Sequence, residues 1–388
     1  MNKLLLQPKV RTYLMDHLHT NVADFILKSH PFEEISSQEL AQQLFGLQKA
    51  RKKLPEWFEN KNILYPPKVN LEQSSSSTTA IYKSQIASGE SMIDVTGGMG
   101  VDVYAFAKAY KSTIHLELDE QLQALTAHNL EALKTNTKSY HGDGIEFLKR
   151  LDKQVDLLYV DPSRKTAASS KAVCLQDYEP NIIQHADLLL QKGKKILIKT
   201  SPMLDITAGM KELQYVAEIH VVAVKNEVRE LLWLLDPQAI KLIYKAVNLE
   251  TNQSPFAYED DLDIDIAFSE PKTYVYEPNA AIMKLQAFAQ VARQFQIDKL
   301  DQDAHLFTSD KLIDFPGRCF EVMEVLPFKP KEIKRKFQKQ AFTVVTRNSR
   351  LTANQLRAKY QLKEDAKNYL FFTSSKSLGA IVIKAIRI

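Results

Sequence analysis

The stretch SMIDVTGGMGVD, Ser91 to Asp102, gathers the residues best suited to cradling a nucleotide-like ligand. A short apolar run ends in Asp94, and Gly97, Gly98 and Gly100 follow almost at once. Glycine is scarce in this chain, eleven in 388 residues against the ~7% usual elsewhere, so a cluster of three marks a place where the backbone needs special freedom. Without a Cβ the chain can turn at positive φ and lets a ligand approach closely. Further polar groups close later apolar runs: Glu117 in HLELD, Asp143 in HGDGIEFL, Asp161 in YVDPSRK and Lys199 in LIKTSP. Carboxylates accept from paired hydroxyls or an exocyclic amine. A lysine whose pKa is lowered by burial and like charge can accept a proton.

These groups need a scaffold that brings the ends of several strands together, and the pattern around them provides one. Val101 to Tyr110 reads as a helix, Thr113 to Leu118 as a strand, and Glu120 to Leu133 as a helix. The alternation continues through a strand at Val155 to Val160, a helix around Pro180 to Leu190, and a strand at Lys195 to Ile198. Ile219 to Val224 and Leu231 to Leu235 read as an antiparallel pair at the sheet edge. Such an α/β rhythm predicts an open, mostly parallel sheet whose ligand sits at the carboxyl ends of the strands.

Ahead of this region, Val10 to Lys53 carries apolar residues at helical spacing, with Ser36 and Glu39 as a capping box. Lys49, Arg51, Lys52 and Lys53, leading to Pro55, Trp57 and Phe58, read as a solvated helix end followed by core aromatics, the alternative being a grip on a nucleic-acid backbone with a stacked base. Ser74 to Ser77 reads as a flexible joint. The division expected is a helical region 1–73, an α/β domain 74–250, an acidic linker or insertion 251–271 and a final module 272–388.

The segment from about Ser77 to Asp236 resembles a class I S-adenosylmethionine-dependent methyltransferase, with motifs in that family's order. The resemblance implies a Rossmann-like sheet, mostly parallel with an antiparallel edge strand. It also implies S-adenosyl-L-methionine as cofactor, with Asp94, Thr96, Gly97, Gly98 and Gly100 around its methionine part, Glu117 at the ribose, Asp143 at the adenine amino group, and Asp161 close by. DPSRK falls where the family faces its methyl acceptor, which makes Pro162, Ser163, Arg164 and Lys165 substrate-side residues and Asp161 the catalytic candidate. Ser163 and Arg164 depart from the proline and aromatic found there in base-amino methyltransferases. In chain order Lys83, Asp161, Lys199 and Glu230 also resemble the catalytic tetrad of ribose 2'-O methyltransferases. Base nitrogen and ribose hydroxyl are therefore both open as acceptors.

The last third reads as a small α/β module. A helix is expected to start at Pro278, followed by a strand at Arg318 to Leu326, a helix at Lys331 to Phe337, a strand at Ala341 to Thr346, a helix capped by Thr352, and strands at Tyr369 to Thr373 and Gly379 to Ile386. YEPNAAIMK and EVLPF are similar to the C-terminal region of bacterial methyltransferases with a THUMP-like, ferredoxin-like domain. That resemblance implies an RNA partner, tRNA or rRNA, for which Lys334, Arg335 and Lys336 supply a basic helix face.

A net charge of +4 does not by itself demand an anionic partner. Two cysteines without paired spacing argue against a disulfide framework or a zinc site, and no segment has the length and apolarity of a membrane span. A cytoplasmic enzyme without a metal is the expectation, its oligomeric state open. Two other readings stand beside RNA methylation: methyl transfer to a small molecule or protein, and a non-catalytic RNA-binding protein with a relict cofactor fold.

Overall fold

A computed structural model describes residues 2–164, 174–259 and 264–388. The chain divides into two units, one of residues 1–219 and 230–240, the other of residues 220–229 and 241–388.

The first unit is built on a twisted sheet. Its strands run in the order Thr137–His141, Ser112–Glu117, Ser91–Asp94, Val155–Val160 and Gly193–Thr200, with the part of Glu227–Leu235 from residue 230 on beside the last. Numbered along the chain, the parallel strands run 3-2-1-4-5. The first five strands pair in parallel and Glu227–Leu235 joins Gly193–Thr200 antiparallel. The runs VDLLYV and GKKILIKT are near-continuous apolar sequence because their central residues, Leu157 to Val160 and Ile196 to Ile198, are buried. Asp94, Glu117, Asp161 and Lys199 stand at or just beyond strand ends, where the chain leaves the ladder and polar groups are freed to face a ligand.

The first seventy residues are helical, as the spacing predicts, and Ser36 and Glu39 form the capping box around Ser37–Lys53. They share a core with the sheet-bearing part: Leu40, Leu44, Trp57 and Leu64 pack in one cluster with Met99, Val101 and Ala105. The serine run is not a flexible joint. Ser76 caps the Ser77–Ser84 helix, and Ser75 is buried with its hydroxyl donating to Asp102 at 2.8 Å. Serine composition suggested mobility, but hydroxyls that find buried partners fix a chain. The helix expected around Pro180 occupies Ala186–Lys192 instead, and Tyr178–Glu179 pairs with Ser163–Arg164 just before Pro180.

The second unit holds a seven-stranded sheet in the order Asp298–Lys299, Phe307–Ser309, Tyr274–Pro278, Gly317–Pro327, Gly379–Arg387, Asn368–Ser375 and Thr343–Thr346. Helices Pro330–Phe337 and Ala353–Tyr360 cover one face through Ile333, Phe337, Leu356 and Tyr360 packed on Leu370, Phe372 and Val382. Pro278 ends a strand rather than starting a helix. Asn279 caps Ala280–Leu285, its side chain accepting from the Ile282 N–H at 3.0 Å, and the chain breaks at Gln286, φ 55°, before Phe288–Phe295. Part of the expected linker is also a strand, Phe256–Glu259, antiparallel to Ile243–Leu249. No helix among the described residues is long and apolar enough to cross a membrane.

Candidate active site

At the carboxyl ends of the first unit's parallel strands lies a cleft of about 660 Å³, a size typical of small-molecule sites. Asp94, Thr96 to Asp102, Glu117, Asp143, Asp161, Ser163 and Lys199 all line it. The glycine loop is organised by backbone requirements that differ residue by residue. Gly98 and Gly100 sit at φ 56° and 81°, conformations that cost other residues about 1–2 kcal/mol. A Cβ on Gly98 would meet only the Thr96 carbonyl at 4.0 Å. Gly97 has a different reason: its missing Cβ would lie 2.2 Å from His115 Nε2.

His115 is fully buried beneath the loop, with Nε2 3.2 Å from the Gly98 carbonyl and Nδ1 3.0 Å from the Ser139 hydroxyl. Burial drives its pKa down to about 4. It is thus a neutral structural prop. Glu117 holds the same loop as well: one carboxylate oxygen accepts the Gly98 N–H at 2.7 Å, the other the Asp119 N–H at 2.8 Å. Thr96 Oγ1 accepts the Asp161 N–H at 2.6 Å and joins the loops after the first and fourth strands. Asp143 caps the next helix through one oxygen, Oδ1, which accepts from Ile145 and Glu146 at 2.7 and 3.1 Å. Asp94 is buried, and burial with the nearby Asp102 carboxylate pushes its carboxyl well above the usual range.

The four residues of the possible tetrad resolve into two ion pairs. Lys83 is sealed from solvent, donating to Glu230 at 2.9 and 3.1 Å and to Ser75 at 2.8 Å, with Asp102 at 3.1 Å. Lys199 donates to Asp161 at the cleft. Burial alone would depress the Lys199 ammonium, but the carboxylates of Asp161, Glu230 and Asp102 outweigh it and raise the pKa. This reverses the lowered-pKa lysine expected for proton abstraction: Lys53 lies near, but the acids around Lys199 prevail.

Asp102 escaped the sequence reading although it contacts Lys83 and acts electrostatically on Lys199. It takes hydrogen bonds from Ser75 and Tyr159 at 2.8 and 2.9 Å. Burial works against its charge, but Lys83 and Lys199 prevail and lower its pKa. An acid on the apolar helix VDVYAF was the available signal. Gly142 was also missed; it lines the cleft at φ 145°, with open space where a Cβ would be. Of the substrate-side candidates, Pro162 is buried and Ser163 exposed, while Lys165 lies outside the described residues. Arg164 is placed by its backbone, paired with Tyr178. Lys334, Arg335 and Lys336 belong to the second unit, exposed on Pro330–Phe337, with Lys336 bonded to Glu324. Among the described residues, no group of three or more His, Cys, Asp or Glu is placed to hold a metal ion.

Comparison with solved structures then decides the family. A Porphyromonas gingivalis W83 protein described as a "putative methyltransferase" matches with 30% identity and a TM-score of 0.88, over 100% of this chain and 98% of that one. The chain belongs to this methyltransferase family. Within its second unit, a ferredoxin-like domain model matches residues 274–316 and a THUMP domain-like model residues 317–385. More distant are SMU.1697c of Streptococcus mutans, a protein of the same description in complex with SAH, at 16% identity and TM-score 0.30 over 40% of this chain and 93% of that one, and an rRNA methylase from Streptococcus thermophilus, at 15% and 0.29 over 42% and 95%. No curated protein matches the chain. The Rossmann-like methyltransferase sheet and the THUMP-like module expected from the motifs are both present.

Proposed function

We propose that this methyltransferase uses S-adenosyl-L-methionine to methylate RNA, with the acceptor placed beside Asp161. The observation that carries the reading is the cleft itself: two glycines, Gly98 and Gly142, leave open space where side chains would project, in a cleft also lined by Glu117 and Asp143. Such a cradle fits a nucleoside-bearing ligand. Gly98 and Gly100 would follow its methionine part, Glu117 the ribose hydroxyls and Asp143 the adenine amino group through its Oδ2 oxygen. When bound, the cofactor supplies an electrophilic methyl group.

The chain's own contribution is position and charge. Asp161 is fixed by Thr96 at its N–H and by Lys199 at one carboxylate oxygen, Oδ2, leaving Oδ1 to orient an acceptor. A base nitrogen fits this site better than a ribose hydroxyl, because Lys199 is held charged by its carboxylate neighbours and Lys83 is sealed away. Neither lysine is poised to take a hydroxyl proton. The RNA assignment draws on the THUMP-like match and on the exposed basic helix Pro330–Phe337.

The test is transfer of labelled methyl from S-adenosylmethionine to total RNA from cells lacking the protein, followed by nucleoside analysis. Label is expected in a base-methylated nucleoside and absent with Asp161→Ala at unchanged cofactor affinity. Label in a 2'-O-methyl nucleoside overturns the choice of acceptor; label confined to small molecules or protein overturns RNA.

A further inference from the structure

The N-terminal helical region supplies part of the cleft's lining. Asn70 and Gln73, one helical turn apart on Lys68–Gln73, line the cleft together with Ser74 and Ser75. Residues so spaced share a helix face. Asn70 is half-buried and Gln73 exposed, and neither carboxamide has a hydrogen-bond partner among the described residues.

This lining lies on the acceptor side. Ser75, two residues past the helix, binds Lys83 and Asp102 directly. Lys53 reaches across to the helix's last turn, its ammonium donating to the Leu71 and Glu72 carbonyls at 2.8 and 3.1 Å, and it lies close enough to Lys199 and Asp102 to interact electrostatically with both. Among the described residues, the bonds of the cofactor-side acids Glu117 and Asp143 run to Gly98, Asp119, Ile145 and Glu146 rather than to this helix.

A carboxamide presents a donor and an acceptor side by side, the pattern that matches the polar edge of a nucleobase. We propose that Lys68–Gln73 is the acceptor-recognition wall of the cleft, and that Asn70 and Gln73 read the hydrogen-bonding edge of the nucleobase to be methylated. This rests on the RNA reading above for its substrate class. Lys53 is a positioning residue that holds the wall in place. The helical region thereby gives the enzyme its choice of base, while the sheet-borne residues hold the reacting groups.

The experiment uses the full chain saturated with S-adenosylhomocysteine and measures equilibrium binding of AMP, CMP, GMP and UMP. Wild type is expected to prefer one base, and Asn70→Ala or Gln73→Ala to reduce that preference by about tenfold or more with S-adenosylhomocysteine affinity unchanged. Gln73→Glu, which keeps the shape but loses the amide donor, is expected to change the order of preference. The proposal is overturned if wild type binds no nucleotide or shows no preference, if the variants keep the wild-type preference, or if they weaken S-adenosylhomocysteine binding instead. Labelled transfer to RNA with the same proteins separates the two readings. Base discrimination that depends on both amides without any RNA labelling refutes the RNA substrate and leaves the wall. RNA labelling with unaltered kcat/KM and product in both variants refutes the wall and leaves the RNA substrate.

Discussion

Lowering the pH from 6.5 to 4 should destabilise the first unit through His115 by a calculable amount. In the folded chain this imidazole is buried under the glycine loop and resists protonation down to about 4, against its ordinary value of 6.5. Between these values the unfolded chain binds a proton that the folded chain refuses, so stability falls as pH is lowered through the window. The contribution is complete above 6.5 and lost by about 4. At ~1.4 kcal/mol for each tenfold in proton affinity, the loss is about 3 kcal/mol. Asp94 works in the opposite sense, because its raised pKa lets the folded chain take up a proton that the unfolded chain does not. Comparison with His115→Gln cancels that contribution. Both tryptophans, Trp57 and Trp233, lie in the same unit as His115, so their fluorescence in urea titrations reports its unfolding. The stability difference between wild type and His115→Gln should grow by about 3 kcal/mol from pH 4 to 6.5. A difference independent of pH would refute the burial argument.

Three further outcomes follow from the same packing. Gly97→Ala forces a Cβ into the His115 ring and should lower stability severely, whereas Gly98→Ala should cost about 1–2 kcal/mol yet abolish S-adenosylhomocysteine binding by filling the cradle; urea unfolding and calorimetry on both variants separate the two effects. Lys83→Met leaves Glu230 and Asp102 without their buried cation and should cost about 3–5 kcal/mol, part of it regained on adding Glu230→Gln, as read from urea midpoints. Burial first, then Lys199 and Lys49, hold Lys53 down to about 8, so the unfolded chain binds the extra proton between about 8 and the ordinary lysine range, and stability should rise with pH across that interval; in Lys53→Met this rise in melting temperature should disappear.

Local chemistry was legible in the chain wherever one segment decides it. The glycine loop, the capping box at Ser36 and Glu39, and the strand ends bearing Glu117, Asp161 and Lys199 follow from backbone freedom, side-chain reach and apolar periodicity over a few residues. The β-rich C-terminal third was likewise marked by alternating apolar strands and by the Thr352 cap. What the chain could not reveal was which charges would meet. Lys83 and Glu230 are 147 residues apart, and their pairing with Asp102 depends on how the Ser77–Ser84 helix packs beside Val101–Phe106. The protonation of Lys199 depends on that same meeting, since three carboxylates from distant segments outweigh its burial. That Gly97 must also make room for the His115 ring was not legible, because that ring comes from a neighbouring strand. Ser74 to Ser77 looked mobile because Asp102, which buries the Ser75 hydroxyl, lies 27 residues further along the chain. Sequence determines what each short segment can adopt; electrostatics and close packing act through space, so only the tertiary structure decides which side chains share a low-dielectric interior and which are left to face the cleft.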